Sequence, residues 1–251
     1  MARGVRETAR QYRELVCFAI AGVGLVGYAS VTPPAAGPEV FAWLKPLATM
    51  TGDFPQYAWR FCASFLLLGL LPLAGALAVG EKPRDLGLSW PRSVTTWWVW
   101  ALVAVVSLGI AVAGAYTPVT AAYYPYSKSL LQRIAERGFG VFGLHAALYL
   151  LLYYLPWELL FRGILVFPVL RLAGNAEPSA LICLASLQSV PSALLHFGHP
   201  PVESLGAVAF GVAAGYMTYR SRSILPALFI HAGVGIVQDL LLALRFVGAL
   251  P

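Results

Sequence analysis

Long apolar runs separated by short polar breaks dominate the chain. A helix that crosses a bilayer needs about 20 mostly apolar residues, and seven segments meet or approach that length. They are 15–31, 61–80, 97–116, 138–172, 178–196, 204–219 and 223–244. The runs are apolar all round, with none of the short alternating segments of a membrane barrel. Helix is the expected state, because backbone polar groups in hydrocarbon must pair within their own segment. The pattern therefore predicts an all-α, polytopic transmembrane bundle of about seven spans. Breaks fall at Thr32-Pro33-Pro34 and at Gly80-Glu81-Lys82-Pro83. A longer connection covers Thr117 to Gly138, in which Leu130 to Arg137 reads as a short interfacial helix. The expected organisation is a basic segment 1–14, N-terminal spans and loops 15–137, and a core 138–251.

Composition narrows the class. Only 11% of residues are charged and 59% are hydrophobic, against about one quarter charged in soluble domains. The net charge is +6, but the basic residues are scattered through the breaks, so they read as topology signals and no nucleic-acid partner is expected. With the N-terminus inside, ten basic residues fall on the inner side, Arg3, Arg6, Arg10 and Arg13 among them. Five, including Lys45 and Arg245, fall outside. The first apolar run follows a basic stretch, as in a signal peptide, but its length favours a retained first span. Cys17, Cys62 and Cys183 lie far apart in apolar runs and read as small buried hydrophobes.

Ionisable groups inside spans are costly and point to function. Here they are Arg60, His145, Glu158, Arg162, His196, His231 and Asp239. Glu158 and Arg162, four residues apart, share a helix face. Taken alone they make a self-neutralising pair, but His196 and His231 on two further helices add general acid–base groups. His145, 13 residues before Glu158, falls roughly on the opposite face and reads as structural. His199 reads as a loop residue. Asp239, eight residues after His231, is expected on nearly the same face, leaning on that imidazole or sitting as an interfacial polar residue.

The order Glu-x-x-x-Arg-Gly, a helix ending in His and a helix beginning with His resembles the CAAX protease and bacteriocin-processing family. These are intramembrane glutamic endopeptidases related to the Ras-converting protease. The resemblance covers about residues 150–245, with Phe161-Arg162-Gly163 its most specific part and Leu86-Gly87-Leu88 a weaker one. It implies hydrolysis of a peptide bond in a membrane-anchored or hydrophobic peptide. Glu158 and His196 would hold the water, His231 would serve the oxyanion, and Arg162 would orient Glu158. The chain is a Trp-Glu variant, with Trp157 where the family usually shows its first Glu. Gly235 stands where the family has an oxyanion-binding Asn, with Gln238 or Asp239 as substitutes. A non-catalytic membrane scaffold is the alternative. No cofactor is expected. Zinc on Glu158, His196 and His231 would suit the ligand types, but the spacing does not favour it. The expected location is a bacterial cytoplasmic membrane.

Overall fold

The computed structural model of the chain describes residues 12–32, 54–125 and 127–251. Arg3, Arg6, Arg10, Pro33, Pro34 and Lys45, which entered the topology reading, lie outside them. Among the described residues the chain is helical with no strand. The long helices are α1 (Arg13–Val31), α2 (54–78), α3 (Trp97–Ala115), α6 (Gly140–Ala173), α8 (Pro201–Ser221) and α9 (Leu225–Phe246). The shorter ones are α4 (Pro118–Tyr123), α5 (Lys128–Arg137) and α7 (Pro178–Leu194). Five of these helices, namely α1, α2, α3, α6 and α9, are long and apolar enough to cross a membrane. The chain is a multi-pass membrane protein.

The bundle is organised around α6. Of its apolar window 72% is buried inside the protein, against 11% for α3. Trp97, Trp98, Leu102 and Val105 of α3 are exposed, as lipid-facing side chains are. α3 packs along α9, α1 along α2, and α7 against α8. α5 starts with Ser127, whose hydroxyl accepts the Leu130 N–H at 3.2 Å, and it docks Leu130, Leu131 and Ile134 against Phe142 and Ala243. The short helix expected over Leu130–Arg137 is thus present, with its apolar face turned to the bundle. Cys17 is buried, but Cys62 and Cys183 are exposed. An apolar run guarantees an apolar surrounding, and for these two thiols lipid supplies it in place of protein.

Two helices change register along their length. α2 is π-helical at Ser64–Leu70, and α6 at Leu150–Tyr154 and Leu159–Ile164. Pro72 and Pro156 lie beside these stretches and lack the N–H that would continue the α-ladder. The two helices touch closely there. A Cβ on Gly69 would stand 3.1 Å from the Pro156 ring.

Proline also shortens α7. The chain turns at Leu187 and Gln188, then resumes helix at Ser189. Pro191 has no N–H for the Leu187 carbonyl. The helix ends at Leu194, two residues before the expected end of that span. At 1.5 Å per residue its roughly 17 residues reach about 25 Å, short of an approximately 30 Å hydrocarbon core.

Candidate active site

α6 brings Tyr154, Trp157, Glu158 and Arg162 into the protein interior. Glu158 is 0% and Arg162 1% exposed. Arg162 Nε lies 3.1 Å from Glu158 Oε2. The pair is charge contact without hydrogen-bond alignment, since Glu158 Oε2 and Arg162 Nε and Nη1 have no aligned partner. The guanidinium also lies over Phe210 of α8, 5.4 Å from the ring centre. Gly163 gives the helix its seat. A Cβ there would meet the Leu86 carbonyl oxygen at 2.8 Å, so Arg162-Gly163 and Leu86-Gly87-Leu88 form one packing contact.

His231, one and a half turns into α9, hydrogen-bonds Glu158 Oε1 through Nδ1 at 2.6 Å. A carboxylate only accepts, so Nδ1 carries the proton and Nε2 is left as the basic nitrogen. The His231 side chain is 21% exposed and Glu158 0%. The carboxylate thus stands behind the imidazole, away from solvent.

His196 follows the early end of α7. Its Nδ1 lies 2.7 Å from the Ser192 carbonyl oxygen. A carbonyl cannot donate, so this ring too presents Nε2 as acceptor. Ser204 of α8 holds the turn by donating to the His196 carbonyl at 2.8 Å. Trp157 is the contact common to both histidines, edge-on to His196 at 5.5 Å and to His231 at 6.4 Å. Among the described residues no ion-pair contact joins His196 to Glu158. Its carboxylate neighbour is Glu203, with Nε2 to Oε1 at 3.9 Å. Glu203 in turn accepts from the Tyr124 hydroxyl at 2.6 Å and pairs with His199 Nδ1 at 2.8 Å.

The structure therefore gathers Glu158, Arg162 and His231 in direct contact and sets His196 across Trp157 from them. Asp239 is not part of this group. Its Oδ2 lies 3.1 Å from His145 Nε2, and His145 Nδ1 bonds the Tyr57 hydroxyl. This corrects the expectation that Asp239 leans on His231. Eight residues on a straight helix bring side chains to one face but not to one neighbour. Gln238 turns toward α3, 3.4 Å from where a Cβ on Gly114 would stand.

Two residues escaped the sequence reading. Glu203 lies in the first turn of α8, four residues after His199, a spacing that signals a shared face. It was hidden by starting that span at Ser204. Tyr154 looked like one aromatic among many. Its hydroxyl fills the space directly over Gly235, which any Cβ there would overlap. Its ring stands edge-on to His231 at 4.8 Å. No sequence signal marks this, because it depends on the contact between α6 and α9. A cavity of about 110 Å³ reaches Trp157, lined also by Tyr28, Arg60, Tyr153, Leu195 and His199. Among the described residues no group of three or more His, Cys, Asp or Glu is arranged to hold a metal ion.

Residues 139–237 match the family model described as Type II CAAX prenyl endopeptidase Rce1-like. The matched segment contains Tyr154, Trp157, Glu158, Arg162, His196, Glu203 and His231. No curated protein and no solved structure matches the chain.

Proposed function

We propose that the chain is an active intramembrane endopeptidase, a reading supported by the match of residues 139–237 to the Type II CAAX prenyl endopeptidase Rce1-like family model. Its substrate is a membrane-anchored or hydrophobic peptide, and a Glu/His-activated water does the hydrolysis. The observation that carries this reading is the buried Glu158 bonded to a partly exposed His231.

The geometry favours a division of roles different from the one the resemblance implied. Both Glu158 oxygens are already engaged, by His231 and Arg162. Glu158 then acts as a positioning carboxylate that fixes the His231 tautomer and stabilises the imidazolium, as a buried carboxylate does in a catalytic triad. His231 Nε2 takes a proton from water as the water oxygen bonds to the scissile carbonyl carbon. His196 stands on the other side of Trp157, 5.5 Å from its ring, as the second imidazole of the site, presented to the substrate through Nε2. The carbonyl oxygen becomes an oxyanion, and the Tyr154 hydroxyl beside His231 is the donor that replaces the missing Asn. Collapse breaks the C–N bond, and His231 returns its proton to the leaving amine. Arg162 holds Glu158 in place through its 3.1 Å charge contact. The proposed setting is a bacterial cytoplasmic membrane with the start of α1 inside, on the bias of basic residues.

The test uses the whole protein in liposomes with two internally quenched peptides, one prenylated and one an unmodified membrane-spanning sequence. Cleavage of at least one is expected. Glu158→Gln and His231→Ala should each lower kcat by roughly 10²–10⁴, the range of general acid–base contributions. Cleavage that survives both substitutions at the wild-type rate refutes the assignment. Absence of cleavage of any membrane peptide in wild type favours the scaffold alternative.

A further inference from the structure

At the opposite end of the bundle lies a second cavity, of about 460 Å³, unrelated to the histidines. Arg13 at the start of α1, Arg84 and Arg92 after α2, Arg171 near the end of α6 and Arg222 after α8 all line it. Five guanidinium groups from distant parts of the chain converge there. Glu81 and Asp85 are the acidic residues of the lining. Glu81 accepts from Arg171 Nη2 at 2.7 Å and lies 3.6 Å from Arg13 Nε, while Asp85 lies 3.8 Å from Arg84. Glu14, beside the cavity, adds a third carboxylate, 2.8 Å from Arg13 Nε and 3.4 Å from Arg171 Nε, so three carboxylates face five guanidinium groups and Arg92 and Arg222 are in excess of them.

The two excess arginines are held in place by the backbone. The Arg92 N–H donates to the Ser221 carbonyl at 2.8 Å, and the Ile224 N–H to the Gly87 carbonyl at 3.1 Å. The Ser223 hydroxyl donates to the Ser89 carbonyl at 2.6 Å. The loop 81–92 is thus stitched to the α8–α9 connection. Arg222 has φ 56° and is the one non-glycine residue with positive φ among the described residues. Glycine is the usual occupant of that conformation. An arginine kept there at a steric cost points to a use for its side chain.

We propose that this cavity is a binding site for a phosphate ester, the chemistry shared by an anionic phospholipid headgroup and a small soluble phosphate. Guanidinium forks match phosphate oxygens two at a time. Basic pockets between membrane helices recognise anionic headgroups on the same principle. Phe167 and Leu170 in the lining supply the apolar wall that an acyl-bearing ligand meets.

The test is thermal unfolding of the whole protein in nanodiscs of phosphatidylcholine, with and without phosphatidylglycerol, and in phosphatidylcholine with added glycerol phosphate. The variant is Arg92→Gln/Arg222→Gly. Its glycine relieves the backbone strain, so it should unfold at or above the wild-type temperature in phosphatidylcholine alone. In wild type, phosphatidylglycerol should raise the unfolding temperature, and the variant should bind it at least tenfold more weakly. A rise with glycerol phosphate alone assigns the site to a soluble phosphate and keeps the proposal. Equal responses of wild type and variant to both phosphates, or no response in wild type, overturn it.

Discussion

Removing one partner of the Glu158–Arg162 pair tests the core and the site together. With side chains 0% and 1% exposed, neither charge has water to fall back on. Breaking a buried pair by deleting one partner costs about 3–5 kcal/mol, because the other charge is left uncompensated. Glu158→Leu strands the guanidinium between Phe161 and Phe210. Arg162→Met strands the carboxylate with only His231. At about 2–4 °C per kcal/mol for a chain of this size, each single change should lower the unfolding temperature by roughly 6–20 °C. The double variant Glu158→Leu/Arg162→Met removes both charges and keeps the volume. Such replacements of buried pairs are often neutral or stabilising, so the double should unfold close to wild type while remaining inactive. Far-UV circular dichroism in nanodiscs reads the stability, and the quenched peptides read the activity. Singles that unfold within about 2 °C of wild type, or a double that is worse than either, would refute the claim that the pair is a desolvated, mutually dependent unit.

Four further outcomes follow from local surroundings. Tyr154→Phe should lower kcat by about 10² with little loss of stability, as expected for an oxyanion donor. Gly235→Ala should match it, because the new Cβ displaces the hydroxyl; peptide cleavage kinetics measure both. Gly87→Ala should destabilise by at least about 1–2 kcal/mol, since φ is +77° and the Cβ would strike the Phe167 ring; thermal unfolding checks this. Burial raises the Glu81 carboxyl above its usual range, with Arg171 and Arg13 opposing the shift. The unfolded chain then loses this proton first, so stability should fall as pH rises from about 4.5 toward the folded value. Glu81→Gln should flatten that slope in denaturation curves taken across pH.

The helices were legible because each apolar run had to be helical to satisfy its own backbone; the break at Gly80-Glu81-Lys82-Pro83 follows α2, and the connection 117–138 between α3 and α6 carries the two short helices α4 and α5. Glu158, Arg162, His196 and His231 stood out because charge and imidazole are rare in such runs. Neighbour choice was not legible. Asp239 went to His145 and Glu203 to His199 and Tyr124, selections made by helix tilt and by π-helical turns whose register depends on packing. Tyr154 over Gly235 belongs to the same class. A glycine in sequence records only an absent side chain, and what fills the space comes from another helix.

The early end of α7 reaches beyond the protein. Lipid beside a spanning helix about 5 Å shorter than the hydrocarbon core thins to match it, at fractions of a kcal/mol per Å. A bilayer that α7 crossed beside His196 would carry that elastic load. On the proposed function, a peptide segment entering that zone would meet His196 without traversing a full leaflet. Thicker membranes raise the load and thinner ones remove it, which makes the surrounding lipid a component of access to the site.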